Sequence, residues 1–453
     1  MKKLLLLLII PFLSFGQGWI QTFGGSTAFE QEGRSVQQTT DSGYIIAGHI
    51  AFDVDGQSNS EFDIYVIKTN ESGEEQWSRI LGDDGIDEYA HDIEQSEDGG
   101  YVICGTIGDE GFLIKLDENG DDQWVQYYMS GVGSNPQIVG STAVYDLEQT
   151  TDGGYIIAGW TSSYSCAVGN EGGFQQPAPS NVYLVKVDEN GQEEWEQCYG
   201  GESEDWAYDV EQTEDGGYII CGNTGSFGNG GRDIYCIKTD ANGNEEWFQT
   251  YGGSGTEYGN SVEQVSDGGF IIAGHVDGDE ILLVKTDEVG DEQWVQAFNN
   301  EANISLSRGN CVRQTVDGGY IVTGRSFVWN LEAGSMENNV CLLKSDEYGT
   351  QEWFQTVGEG GHEEGFSIRQ TTDNGYIITG YQDLDPPITN TRYVYLIKTN
   401  EWGNITSTIE LPIPTSKYLI TTVDILGRET NNNKGFQLHI YDDGSVEKKY
   451  LIK

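Results

Sequence analysis

Basic residues are scarce in this chain of 453 residues: 23 Lys and Arg stand against 74 Asp and Glu, a formal net charge of −51. A field of that sign repels DNA, RNA and anionic lipid, so no nucleic-acid partner is expected. It also keeps molecules apart, which suits a monomer. Histidine is rare, with five residues, and the motifs that announce common chemistries are missing. There is no H-E-x-x-H, no G-x-S-x-G, no P-loop and no dinucleotide fingerprint. The seven cysteines form no CxxC or Cys/His zinc pattern, so no metal centre and no catalytic residue is assigned. Paired carboxylates are so abundant that they single out no glycosidase pair.

Long apolar runs are absent except at the start. Lys2 and Lys3 precede the apolar stretch Leu4 to Leu13, and small residues follow at Ser14 and Gly16. That order is a secretory signal peptide over residues 1–16, with cleavage before Gln17. The apolar part is too short to cross a bilayer as a mature helix, and no cysteine follows for a lipid anchor. An exported protein is expected, secreted or attached to the outer-membrane surface.

Helical periodicity is also lacking. In its place one phrase recurs seven times, starting at Asp41, Asp98, Asp152, Asp215, Asp267, Asp317 and Asp373, as in "DGGYIIAG". A spacing near 50 residues signals a solenoid or a propeller. Each repeat holds four strand candidates. A V-x-Q-T strand leads through Asp-Gly-Gly into a strand apolar on both faces, which implies burial on both. A third, lysine-bearing strand ends in an Asx-x-x-Gly turn such as "DENG", where Asx bonds its own turn and glycine takes positive φ. The fourth strand carries a tryptophan: Trp77, Trp124, Trp195, Trp247, Trp294 and Trp353.

The seventh repeat has no such tryptophan, whereas "GWIQTFGG" near the start of the chain has Trp19 without the strands that precede it elsewhere. These pieces predict an all-β, seven-bladed β-propeller over residues 17–405, its last blade completed by the N-terminal strand. "DENGDD" at Asp117 lacks the ligand spacing of an EF-hand and reads as a turn, although calcium is the one cofactor that so acidic a surface suggests. Cys104 and Cys221 read as small buried residues, and Cys221 with Cys236 as a disulfide candidate on neighbouring strands.

The turn and outer strand "VDENGQEEW" (Val187 to Trp195) resembles the blades of PQQ-like, tryptophan-docking propellers. That resemblance implies the fold alone: the quinoprotein enzymes of that group have eight blades and vicinal cysteines, which this chain lacks. Beyond a linker at 406–416, residues 417–453 contain "VDILGRE" (Val423 to Glu429) and "IYDDGSVEKKYLIK" (Ile440 to Lys453). They resemble the C-terminal sorting domain of the type IX secretion system of Bacteroidetes, which implies that machinery as a partner. The alternative is a small β-rich cap on the ring.

By strand parity, the short turns share one face and the loops of variable length share the other, where binding residues concentrate. The residue after the second-strand glycine faces that side in every repeat: His49, Thr106, Trp160, Asn223, His275, Arg325 and Tyr381. Shared geometry with varied chemistry suits a binding rim. The candidate ligand residues are His49, Trp160, His275, Arg325 and Tyr381, and an exposed rim position is expected. The acid–aromatic pairs Glu88-Tyr89, Asp205-Trp206 and Glu257-Tyr258 read as packing between repeats. The expected function is binding of a glycan, neutral ones first given the charge, or of a surface protein. A polysaccharide hydrolase or lyase on the same face is the alternative.

Overall fold

The computed structural model describes residues 18–24, 28–53, 60–82, 85–128, 140–163, 166, 179–276, 280–298, 307–330, 335–358, 361–384 and 391–405. In the tail it describes 419–423, 435–441 and 446–451. The proposed leader and most of "VDILGRE" lie outside these residues. Among the described residues there is no α-helix.

The first repeat folds as Ala28–Gln38, Tyr44–Asp53, Ser60–Thr69 and Glu75–Leu81, antiparallel and in chain order. Repeats 2 to 5, at 88–128, 142–199, 205–251 and 257–298, form four more sheets of the same kind. Repeats 6 and 7, at 307–357 and 361–399, share a sheet through a single parallel bridge, Asn338 to His362. The last strand of repeat 7, Arg392–Thr399, takes Trp19–Phe23 as its antiparallel neighbour, with Trp19 opposite Lys398 and Phe23 opposite Val394. First strands of consecutive repeats pack side by side, and those of repeats 7 and 1 do as well. Repeated four-stranded sheets in an all-β chain are the architecture of a β-propeller.

Short local rules build each sheet. In the Asp-Gly-Gly turn Asp152 accepts from Gly154 N–H at 3.0 Å and from Thr150 Oγ1 at 2.6 Å, and Gly153 has φ 88°. The second strand that follows, Tyr155 to Gly159, is buried throughout. In the second turn Asp188 Oδ1 accepts from Asn190 and Gln192 N–H at 2.9 and 2.8 Å. Asp117 is spent in the same way on Asn119 and Asp121. These carboxylates point into their own turns, as hairpin chemistry requires.

Two devices join one repeat to the next. The fourth-strand tryptophan covers the turn glycine of the following repeat: a Cβ on Gly243 (φ 73°) would meet Trp195 Cζ3 at 2.6 Å. The same fit joins Trp77 to Gly120, Trp124 to Gly191, Trp247 to Gly290, Trp294 to Gly349 and Trp353 to Gly403, and it also joins Trp19 to Gly73. The second device uses the V-x-Q-T glutamine, whose Oε1 accepts a backbone N–H from the preceding repeat's turn. Gln95 takes Thr40, Gln149 takes Glu97, Gln212 takes Thr151, Gln264 takes Glu214, Gln314 takes Ser266 and Gln370 takes Val316. Gln38 takes Thr372 N–H at 3.0 Å, which links repeat 7 to repeat 1.

The third-strand lysines are buried, each on the Asp of its own turn: Lys68–Asp41, Lys115–Asp98, Lys186–Asp152, Lys238–Asp215, Lys285–Asp267, Lys344–Asp317 and Lys398–Asp373, at 2.6 to 3.1 Å. Burial alone would raise Asp152 and Asp215. The threonine hydroxyl, the glycine N–H and the ammonium outweigh it and hold both at about 2.

The disulfide expectation needs correction. Cys166 bonds Cys198, fastening residue 166 to the fourth strand of repeat 3. Cys221 and Cys236 are opposite one another in register, yet both are buried free thiols, as is Cys104. The two thiols lie close enough to interact, but a bridge also needs the specific dihedral geometry of a disulfide.

Residues 407–453 form a separate compact unit. Its strands Leu419–Val423, Gly435–Tyr441 and Val446–Leu451 make an antiparallel sheet in chain order.

Candidate functional site

A recurring irregularity organises the side of the molecule that bears the variable loops. Every first strand carries a β-bulge, and the residue skipped by the ladder is Arg34, His91, Tyr145, Tyr208, Asn260, Asn310 or Phe366. A bulge removes one residue from pairing and re-aims its side chain. Seven side chains of different chemistry are thereby placed at one level on neighbouring strands.

The second-strand candidates sit beside this level, across the ladder from the first strand: His49 opposite Glu32, Trp160 opposite Ala143, His275 opposite Tyr258, Arg325 opposite Arg308 and Tyr381 opposite Glu364. They are less exposed than a rim position implies. His49, His275 and Tyr381 are 3 %, 8 % and 6 % exposed, whereas Trp160 and Arg325 are half-buried. The reason is that each is covered by side chains of its own repeat or of the next, as His275 is by Tyr258 and Trp160 by Trp206. His49 lies edge-on to Tyr89 at 5.2 Å and to Phe62 at 5.4 Å, and Arg325 Nη1 donates to Glu364 Oε2 at 3.1 Å. Tyr381 lies under the Arg392 guanidinium at 4.5 Å.

Bulge and second-strand residues combine into an aromatic arc over repeats 2 to 4. His91 meets Tyr145 at 4.8 Å, Tyr145 meets Tyr208 at 5.3 Å, and Tyr208 meets Trp206 at 6.4 Å. Trp206 meets Trp160 at 6.4 Å, and Trp160 Nε1 donates to Tyr145 Oη at 3.2 Å. In repeat 5, Tyr258 and His275 stack at 4.7 Å. Of the acid–aromatic pairs, Tyr89 and Trp206 pack across to the preceding repeat on His49 and Trp160, whereas Tyr258 stacks on His275 of its own repeat. Burial, with Arg34 nearby, pushes His49 and His91 down to about 3, so both are neutral imidazoles at any physiological pH.

Charge gathers where repeats 7 and 1 meet. Arg392 Nη1 contacts Glu30 Oε1 at 2.7 Å and Glu32 Oε1 at 2.5 Å, its Nε contacts Asp383 at 3.1 Å, and Arg34 contacts Glu32 Oε2 at 2.6 Å. Glu30, Glu32 and His49 have ligand atoms within 4.8 Å of one another, the one such trio among the described residues. Both Glu32 oxygens already face a guanidinium, so a cation placed there would compete with two fixed positive charges.

Nearer the short turns, the x of V-x-Q is Gln37, Glu94, Glu148, Glu211, Glu263, Arg313 or Arg369. Glu94 Oε2 accepts from Gln149 N–H at 2.8 Å and Glu211 Oε2 from Gln264 N–H at 3.0 Å, so this belt also ties repeats together. Burial, then Asp92, pushes Glu94 up to about 8, and burial pushes Glu148 up to about 7. Sequence reasoning missed both the belt and the bulge ring. Its usable signal was register: the bulge residue always stands two positions before the valine, isoleucine or leucine of the V-x-Q strand.

No protein-family model matches the chain, and no curated protein is similar to it. Among solved structures it resembles puromycin hydrolase, in an S511A mutant complexed with PGG. Identity is 12 %, TM-score 0.50, and the match covers 91 % of this chain but only 58 % of the hydrolase. It also resembles the WD40 domain of Neurospora crassa Pan2 at 9 % identity and TM-score 0.45, covering 80 % of this chain and 88 % of that one. A protein of unknown function from Bacteroides caccae matches at 13 % identity and TM-score 0.40, covering 68 % and 94 %. At such identities the likeness concerns the fold, a β-propeller.

Proposed function

We propose that the chain is a seven-bladed β-propeller, closed by its N-terminal strand, which binds glycan on the face of the variable loops. The observation that carries the binding role is the bulge ring: seven side chains re-aimed at one level, with an aromatic arc from His91 to Trp160 among them. Planar aromatics stack on sugar rings, while amides, imidazoles and guanidinium groups bond hydroxyls. The net charge of −51 favours a neutral polymer over an anionic one. Closure is supported by the pairing of Trp19–Phe23, the fit of Trp19 on Gly73 and the Thr372–Gln38 bond.

No observation favours the hydrolase or lyase reading over this one. The carboxylates of this region, Glu30, Glu32, Asp383 and Glu364, are engaged by Arg392, Arg34 or Arg325. Export through the leader and delivery by a type IX machinery complete the proposal, with the protein secreted or held at the outer-membrane surface. Calcium is not required by this reading. A glycan array probed with the protein lacking residues 1–16 tests the binding role. Retention of neutral oligosaccharides without turnover is expected, and release of cleaved products would favour the hydrolase or lyase.

A further inference from the structure

The junctions between successive repeats are filled differently on this face. Trp160 and Trp206 fill the one between repeats 3 and 4, and the Arg325–Glu364 pair spans repeats 6 and 7. Tyr381 under Arg392 occupies the junction of repeats 7 and 1, and His49 with Phe62 and Tyr89 that of repeats 1 and 2. Between repeats 4 and 5 the corresponding second-strand residue is the small Asn223. A cavity of about 380 Å³ opens there, lined by Tyr208, Asn223, Tyr258, Asn260, His275 and Arg308, with Val276 at its edge.

We propose that this cavity holds one neutral pyranose ring of a glycan bound on this face; the proposal rests on the glycan reading above. The volume lies at the small end of ligand cavities, roughly 300–1,000 Å³. One wall is the stacked pair Tyr258 and His275, which is parallel to within 15°. An aromatic pair that is already packed loses little freedom when a sugar ring lies against it.

The polar groups suit hydroxyls. Asn223 is 1 % exposed, and its Oδ1 accepts from Gly259 N–H at 2.8 Å, which fixes how the amide is turned. Its Nδ2 is turned toward the Tyr208 hydroxyl, so this amide and that phenol form one polar edge of the cavity. A buried polar edge of this kind favours a ligand whose hydroxyls can extend its hydrogen bonding. The amide group of Asn260 is held by Gly309 O at 2.8 Å and the His275 ring at 3.3 Å, so it shapes the wall. The tyrosine hydroxyls both donate and accept, as a partner for sugar hydroxyls must. Among the described residues that line the cavity there is no carboxylate.

The test is calorimetric titration of the protein lacking residues 1–16 with cellohexaose, mannohexaose and a hexagalacturonate. Each is repeated on Val276→Phe, which fills the cavity, on Tyr258→Ala, which removes a wall, and on Trp160→Ala outside it. Binding of a neutral hexamer that falls tenfold or more in both Val276→Phe and Tyr258→Ala, with unchanged circular dichroism, is the expected result. If Val276→Phe fails to fold, Asn223→Asp takes its place: it keeps the Gly259 acceptor, removes the donor on the Tyr208 side and should weaken binding alike. Neutral-hexamer binding that drops in Trp160→Ala but is untouched by the cavity variants overturns the cavity and spares the glycan face. Binding of hexagalacturonate alone overturns the assignment of a neutral ring. Absence of binding to all three probes overturns the cavity and the glycan reading together.

Discussion

Trp19 should matter to stability as much as a tryptophan from the middle of the chain. It is half-buried, lies 5.8 Å from Tyr44 at 66° and covers Gly73. Trp195 is its internal counterpart: half-buried, 5.9 Å from Tyr218 at 58° and covering Gly243. A half-buried indole hides about 100 Å² of largely apolar surface. At about 25 cal/mol per Å² its removal costs about 2.5 kcal/mol. The lost aromatic contact adds about 0.5–1 kcal/mol, which puts each substitution near 3 kcal/mol, the low end for tryptophan truncation. Urea unfolding followed by fluorescence should show equal losses for Trp19→Ala and Trp195→Ala. A loss near 3 kcal/mol in Trp195→Ala beside less than about 0.5 kcal/mol in Trp19→Ala would refute completion of the last blade by the N-terminal strand. Small losses in both would refute the docking argument itself.

The remaining predictions concern charge, sulfur and backbone. The raised carboxylates Glu94 and Glu148 contribute stability that is complete below about pH 4 and is lost as pH rises through about 7 to 8. Asp152 and Asp215, held at about 2, contribute stability present above about pH 4 and lost as pH falls toward 2. Melting temperature should therefore peak near pH 4–5, and Glu94→Gln should raise it at pH 8 while changing it little at pH 5. Thiol titration in non-reducing denaturant should count five free cysteines, those other than Cys166 and Cys198; three would mean that a second pair is bonded. Cys198→Ser opens a loop with a sequence separation of 32 and should cost about 3–4 kcal/mol. Ser42 has φ 68° where five sister turns have glycine, so Ser42→Gly should stabilise by about 0.5–1 kcal/mol in denaturant titration.

What the sequence made legible follows from period and turn chemistry. The strand apolar on both faces, the inward-turned Asx carboxylates and the tryptophan strand recur often enough to be read without coordinates, and Trp19 opposite Lys398 follows from finding one strand short. The buried lysines were visible only as a recurring letter, because a lysine in a strand ordinarily signals an exposed face. Here the Asp of the first turn, some twenty residues away in sequence, lies beside the ammonium. The candidate residues do fall on their second strands, but their exposure was misjudged, since burial depends on what neighbouring strands and repeats bring across. The bulge ring was hidden because alternation along a strand assumes an unbroken ladder, and one skipped residue reverses which side chains face the centre.

The most direct measurement compares neutral-oligosaccharide affinity in the wild-type protein, in Trp160→Ala on the aromatic arc and in Asn190→Ser on the short-turn face. The account predicts equal affinity for wild type and Asn190→Ser, and a loss of at least tenfold, about 1.4 kcal/mol, in Trp160→Ala. Loss of binding in Asn190→Ser with full affinity in Trp160→Ala would contradict it.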